Sequence, residues 1–378
     1  VDDYVDRKRG LRIVGPNDSR NGKTPYTLVV ARDVPGFGIW RQNPSNSCRA
    51  KLATRISATS QKAVPLKFLV IATGVLLIVG LLAFYLWTPD RDRASLEAKY
   101  LDAPTDMLEV DGVRLHVRDS GPRNGLALIF LHGFGASLHT WEPWARDLAH
   151  DYRVIRFDLP GSGLSSADPT GDYTDARSMA LLAALMDKLG VKRASIVGHS
   201  IGGRIAWTFA AHYPERVDKL VLVAPDGFAS PGFEYGKKPD VPASVKLMRY
   251  VLPKPLLRMS LAPAYANPAT LTDALAARYY DLMLAPGARQ ALIARMEQTT
   301  LTDPVPWLRR IQAPTLLLWG QQDAMIPFAN SADYLKALPH ATLAPVPGVG
   351  HLPQEEAPER ALIPVRAFLQ CGALSCPP

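Results

Sequence analysis

The chain has 378 residues, of which 47% are hydrophobic, enough for one large core or two smaller ones. Its formal net charge of +8 sits at one end: residues 1–67 carry 13 Lys and Arg against 5 Asp and Glu, while residues 68–378 carry 30 of each. A large C-terminal part without net charge lacks the basic face that nucleic-acid binding needs, so no nucleic-acid partner is expected.

Residues 1–62 are rich in Asn, Ser, Arg and Pro and lack sustained apolar periodicity, which predicts disorder within a basic segment, 1–67. The first methionine is Met107, and Val64 heads a short basic lead into an apolar run; a start at Val64 is the expectation. Residues 68–87, FLVIATGVLLIVGLLAFYLW, are 20 residues without a charge, the length of a single membrane-spanning helix. Tyr85 and Trp87 close the run as interfacial aromatics, and Asp90, Arg91, Asp92 and Arg93 mark the return to water. Lys51, Arg55, Lys62 and Lys67 precede it, against Arg91, Arg93 and Lys99 after it. This bias places the N-terminus in the cytoplasm and the large domain outside, periplasmic or extracellular. A cleaved signal sequence followed by secretion is the rival reading, but its apolar region is normally shorter and no A-x-A site follows Trp87.

After a linker over 88–105, residues 107–117 read as a hairpin turning at Asp111-Gly112. LALIFL (126–131), RVIRFD (153–158), ASIVG (194–198), KLVLVAP (219–225), TLLLWG (315–320) and TLAPV (342–346) are further strand candidates. Helices are predicted over 178–189, stopped by Gly190, and from Ser200 to Tyr213, stopped by Pro214. Apolar strands alternating with helices predict an α/β fold, a mostly parallel sheet covered on both faces. Residues 226–306 break this rhythm with prolines and helical stretches and read as an inserted helical cap within a domain over 106–370. A tail, 371–378, follows; Cys371 and Cys376 in it form either a short disulfide loop or two thiols, and Cys48 lies in the basic segment.

VGHSIGGR (197–204) puts Ser200 between Gly198 and Gly202, after a strand and at the start of a helix. A turn that tight brings backbones too close for side chains, hence the glycines, and lifts the hydroxyl above the carboxyl edge of the sheet. His132-Gly133-Phe134-Gly135 follows the strand 126–131, so the Phe134 and Ile201 N–H groups can form an oxyanion hole. Asp323, in LLLWGQQDAMIP, and His351, in PGVGHLPQEE, each follow a later strand.

HGFGAS, DLPGSGLS, GHSIGG, LLLWGQQDAMIP and GVGHLPQEE, in this order over about residues 105–370, resemble a serine-dependent α/β-hydrolase of the lipase and carboxylesterase branch with a helical cap. The resemblance implies Ser200 as nucleophile, Asp323 as acid and His351 as base, with Phe134 and Ile201 as oxyanion donors. It implies no metal and no organic cofactor. Asp226 is the rival acid, since some members of this fold take theirs after the strand that follows the nucleophile helix. His132 reads as structural, and His199 is left out of the triad. Trp141 and His199 are candidates for the substrate pocket. His116, His139, His150, His212 and His340 share no metal spacing and read as surface or packing residues.

The expected reaction is cleavage of short- to medium-chain carboxylic esters through an acyl-enzyme, by an enzyme held at a membrane. Hydrolases of carbon–carbon bonds in ring-fission products share the triad and cap, but more often carry glycine after His-Gly and asparagine before the serine; here those positions are Phe134 and His199. Lactone hydrolysis and cofactor-free perhydrolysis are further alternatives to ester cleavage. A catalytically silent binding module tethered to the membrane is the non-enzymatic reading.

Overall fold

The computed structural model describes residues 4–6, 11–13, 65–229 and 234–371. The chain divides into two units, 1–66 and 67–378. In the first, β1 (Tyr4–Asp6) pairs antiparallel with β2 (Leu11–Ile13). The rest of the segment expected to be disordered, 1–62, lies outside the described residues. The Val64 start, Cys48 and Cys376, and with Cys376 the disulfide loop, lie outside the described residues.

The apolar run forms helix α1, Leu66–Leu86, two residues ahead of the predicted span. Its 21 residues are long and apolar enough to cross a membrane, and none of them is buried. Asp92 caps α2 (Arg93–Tyr100) by accepting the Ser95 N–H at 2.9 Å.

The central sheet has eight strands in the order β10-β9-β8-β7-β5-β6-β4-β3. They are β3 (Met107–Val110), β4 (Val113–Ser120), β5 (Ala127–Leu131), β6 (Arg153–Phe157), β7 (Ala194–His199), β8 (Val217–Val223), β9 (Thr315–Gly320) and β10 (Ala341–Val346). β3 and β4 form the Asp111-Gly112 hairpin, with β4 antiparallel to β6; the remaining pairs are parallel. The inner strands read as unbroken apolar runs because both faces are covered. Alternate residues still go to opposite sides. Ile129, Ile196, Leu220, Leu222 and Leu317 pack with α4 (Asp175–Lys188), α5 (Ile201–His212) and α11 (Ser331–Ala337). Phe130, Val197, Val221, Val223 and Leu318 pack with α3 (Glu142–Leu148) and α13 (Pro358–Gln370).

Between β8 and β9 the chain leaves the sheet. It forms α6 (Ala243–Lys246), α7 (Lys254–Leu261), α8 (Asp273–Met283), α9 (Ala288–Gln298) and α10 (Val305–Leu308) before Thr315 re-enters. α4 starts at Asp175, three residues before the predicted helix, because the Thr174 hydroxyl caps the Arg177 N–H at 3.3 Å. The linker does not hang free. Asp281 on α8 accepts from Lys99 and Tyr100, both at 2.8 Å, and pairs with Arg91 at 2.9 Å.

His139 lies buried against Tyr100 and His116. Burial, only partly opposed by the Asp158 carboxylate, pushes it down to about 3, so the folded protein keeps this imidazole neutral. The unfolded chain binds that proton below about pH 6.5 and the folded chain does not, so this term destabilises as pH falls from 6.5 toward 3. Between pH 7 and pH 5 it amounts to about 2 kcal/mol. His139→Leu is therefore expected to reduce the loss of unfolding free energy between those pH values by about that amount, read from urea midpoints.

Candidate active site

The strand β7 ends at His199 and α5 begins at Ile201, so Ser200 alone makes the turn. Its backbone has φ 54° and ψ −120°, a conformation that costs a non-glycine residue roughly 1–3 kcal/mol. The turn is held from several sides. The Ser200 N–H donates to the Val223 carbonyl at 3.0 Å, and the Ser200 carbonyl accepts from Arg204 and Asp226, both at 3.0 Å. A Cβ on Gly198 would stand 2.3 Å from the Gly202 carbonyl oxygen, and one on Gly202 would stand 2.4 Å from that of Leu131. Glycine is thus required at both places by close approach of backbone to backbone.

Ile201 is the first residue of α5, where a helix has no internal acceptor for its N–H. Among the described residues the Phe134 and Ile201 N–H groups donate to no other group. Both residues line one small cavity with Gly133, Leu159, Pro160 and the cap residues Ala291, Leu292 and Arg295. Its volume is about 10 Å³, room for about one water. Roomier cavities, about 480 and 580 Å³, lie between α3 and α13 and beside α4 and α5, and neither is lined by Ser200 or His351.

His351 and Asp323 are brought together from two loops past β10 and β9. His351 Nδ1 lies 2.8 Å from Asp323 Oδ2, with both side chains buried. The other carboxylate oxygen accepts the N–H groups of Met325 at 2.8 Å and Ile326 at 2.9 Å, which fixes its plane. Asp226 is engaged elsewhere. Its Oδ2 is 2.9 Å from Arg204 Nη1, and its carbonyl accepts from Trp207 and Tyr334. His132 is tied into the loop: Nδ1 lies 2.8 Å from the Gly133 carbonyl, and Nε2 accepts the Leu159 N–H at 2.9 Å. Burial lowers its pKa, which keeps it a neutral acceptor.

The two pocket candidates need correction. Trp141 is wholly buried among Phe130, Trp144 and His199; its ring belongs to the core beneath the site. His199 is buried beside the His351 ring, centroids 4.6 Å apart, with Nε2 2.8 Å from the His351 carbonyl. Burial, helped by His351, holds its pKa well below the ordinary histidine value, so the neutral ring donates from Nε2 and braces the His351 backbone. Proximity in sequence gave neither side chain's direction.

Other supports carried no readable signal. The His351 N–H donates to the Ala264 carbonyl at 2.7 Å. Glu356 accepts from the N–H groups of Gly350, Ala266 and Asn267 at 2.7, 3.1 and 2.8 Å. Glu355 accepts from Tyr265 and Arg278, both at 2.7 Å. The two glutamates of PGVGHLPQEE therefore fasten the cap to the loop that carries His351. No group of three His, Cys, Asp or Glu able to hold a metal occurs among the described residues.

A family model for the alpha/beta hydrolase fold matches residues 127–358. A 2-hydroxy-6-oxononadienedioate/2-hydroxy-6-oxononatrienedioate hydrolase of Burkholderia vietnamiensis is 31% identical over 293 residues, 73% of this chain and 96% of that protein. Among solved structures, a bacterial membrane phospholipase A superposes with a TM-score of 0.61 at 25% identity, over 80% of this chain and 98% of that one. A meta-cleavage product hydrolase from Pseudomonas fluorescens does so with a TM-score of 0.61 at 24% identity, over 71% of this chain and 100% of that one.

Gly202→Ala forces a methyl group against the Leu131 and His132 carbonyls. It is expected to lower the unfolding free energy by about 2–4 kcal/mol, read from the urea midpoint. An unchanged midpoint contradicts the close packing described for the turn.

Proposed function

The chain belongs to the alpha/beta hydrolase fold family, and on that premise we propose that it is a membrane-anchored serine hydrolase of carboxylic esters. The observation that carries this reading is the serine at positive φ beside two unengaged N–H groups, with an oriented histidine–carboxylate pair in the same fold. His351 Nε2 takes the Ser200 proton as Oγ attacks the ester carbonyl. The Phe134 and Ile201 N–H groups stabilise the oxyanion, each worth roughly 3–4 kcal/mol. His351 returns the proton to the departing alcohol, leaving an acyl group on Ser200. Water then attacks that acyl group, deprotonated by His351, and the carboxylic acid leaves with Ser200 restored. Asp323 holds Nδ1–H and stabilises the imidazolium.

Two features favour esters. The superposition on the membrane phospholipase A takes in 80% of this chain, more than β3 to α13 occupy, so the likeness reaches into the segment before β3. The residues Phe134 and His199 also depart from the pattern common among carbon–carbon hydrolases. In this reading α1 is an uncleaved anchor with the hydrolase outside the cytoplasm, as the Lys and Arg bias favours. The second reading is hydrolysis of a carbon–carbon bond in a dienoate ring-fission product, which is what the Burkholderia relative's name describes.

The full chain in detergent is expected to hydrolyse p-nitrophenyl esters in a series of acyl lengths, and Ser200→Ala to lower kcat by about a thousandfold or more. Turnover of a 2-hydroxy-6-oxo-dienoate with none of any ester establishes the second reading instead. Activity retained by Ser200→Ala contradicts both.

A further inference from the structure

Where α1 ends, the chain turns directly onto the cap. Trp87 stacks on Tyr250, ring centroids 5.6 Å apart and 22° from parallel. The Thr88 N–H donates to the Tyr250 carbonyl at 2.8 Å, and the Thr88 hydroxyl accepts the Leu252 N–H at 3.1 Å. Asp90 pairs with Arg289 at 2.6 Å, and the Arg91 N–H donates to the Leu284 carbonyl at 2.7 Å. The residues that leave the span are therefore bound to 250–252 and α9, which sets this side of the cap at the level of the interface.

That side is apolar and open. Leu247, Tyr250, Leu256 and Met259 are 54%, 45%, 53% and 69% exposed, and all fall within 13 residues of chain. Arg249 and Lys254 lie among them and have no acidic partner within 4 Å among the described residues. Apolar side chains flanked by cations match an acyl-chain boundary beneath anionic headgroups. On the inner side of α7, Leu257 is buried with Leu252, Met283 and Ala136. Ala136 is two residues past Phe134. The inner side of α7 and the loop that carries Phe134 thus share one buried cluster.

We propose that this face, Leu247 to Met259, docks on the leaflet from which α1 emerges, and that the enzyme takes its acyl ester out of that leaflet. The proposal rests on the membrane-anchored ester hydrolase reading. Continuity with the span names the occupant: Tyr250, stacked on the residue that directly follows α1, lies at the depth where Trp87 sits.

The test uses the full chain in phosphatidylcholine/phosphatidylglycerol vesicles carrying a diazirine-tailed phospholipid. After irradiation and digestion, lipid adducts are expected on peptides spanning 247–259 as well as on α1. Leu256→Glu/Met259→Glu is expected to cut the cap adducts about tenfold and leave those on α1 unchanged. Adducts confined to α1 overturn the docking and leave the anchor standing; adducts on neither overturn both. The same variant is expected to hydrolyse dissolved p-nitrophenyl butyrate at the wild-type rate and a vesicle-borne long-chain ester about tenfold more slowly. Equal rates on the two substrates overturn delivery from the leaflet. No turnover of either ester by either protein refutes the ester reading, and the adducts then still decide the docking.

Discussion

The whole site hangs on one turn. At Ser200 the chain changes from strand to helix within a single residue, and it does so only because backbone packs on backbone at Gly198 and Gly202. The strain of a serine at φ 54° is offset by the hydrogen bonds around it and by the burial of nearly all of α5. That geometry exposes the hydroxyl at the edge of a sheet whose neighbours are otherwise sealed. It also leaves the first N–H of the helix without a partner. A looser turn loses both at once.

Around this point the supports run in two directions. Toward the sheet, the Val223 carbonyl holds the Ser200 N–H, and His199 braces the His351 backbone. Toward the cap, the His351 N–H is held by Ala264 and the loop before it by Glu356. The histidine therefore belongs mechanically to the cap as much as to the sheet. The cap in turn is joined through Tyr250, Asp281 and Arg289 to the residues that follow α1. A chain of contacts leads from the end of the apolar helix to the loop that carries His351. The contacts that position His351 are thus shared with the cap.

The sequence was most readable where a local constraint has a local signature. Close backbone approach demands glycine, so the turn at Ser200 could be found from two glycines and a serine. Strands buried on both faces appear as apolar runs, and the Asp111-Gly112 hairpin has its own turn chemistry. Helix ends were less readable, because Thr174 caps α4 ahead of the first apolar residue that announces it. Direction was not readable at all. Trp141 and His199 are near the candidate site in sequence, but one ring points into the core and the other lies beside His351. The roles of Glu355 and Glu356 depend on residues 77 to 90 positions away, which no local pattern records.

The measurement that tests the central claim most directly is labelling of the full chain by a fluorophosphonate, with the modified residue mapped by mass spectrometry. A single adduct on Ser200 is predicted, formed far more slowly in His351→Ala and in Asp323→Asn, because the hydroxyl attacks phosphorus only when the imidazole takes its proton. An adduct on another residue, or labelling of Ser200 at an unchanged rate in His351→Ala, contradicts it.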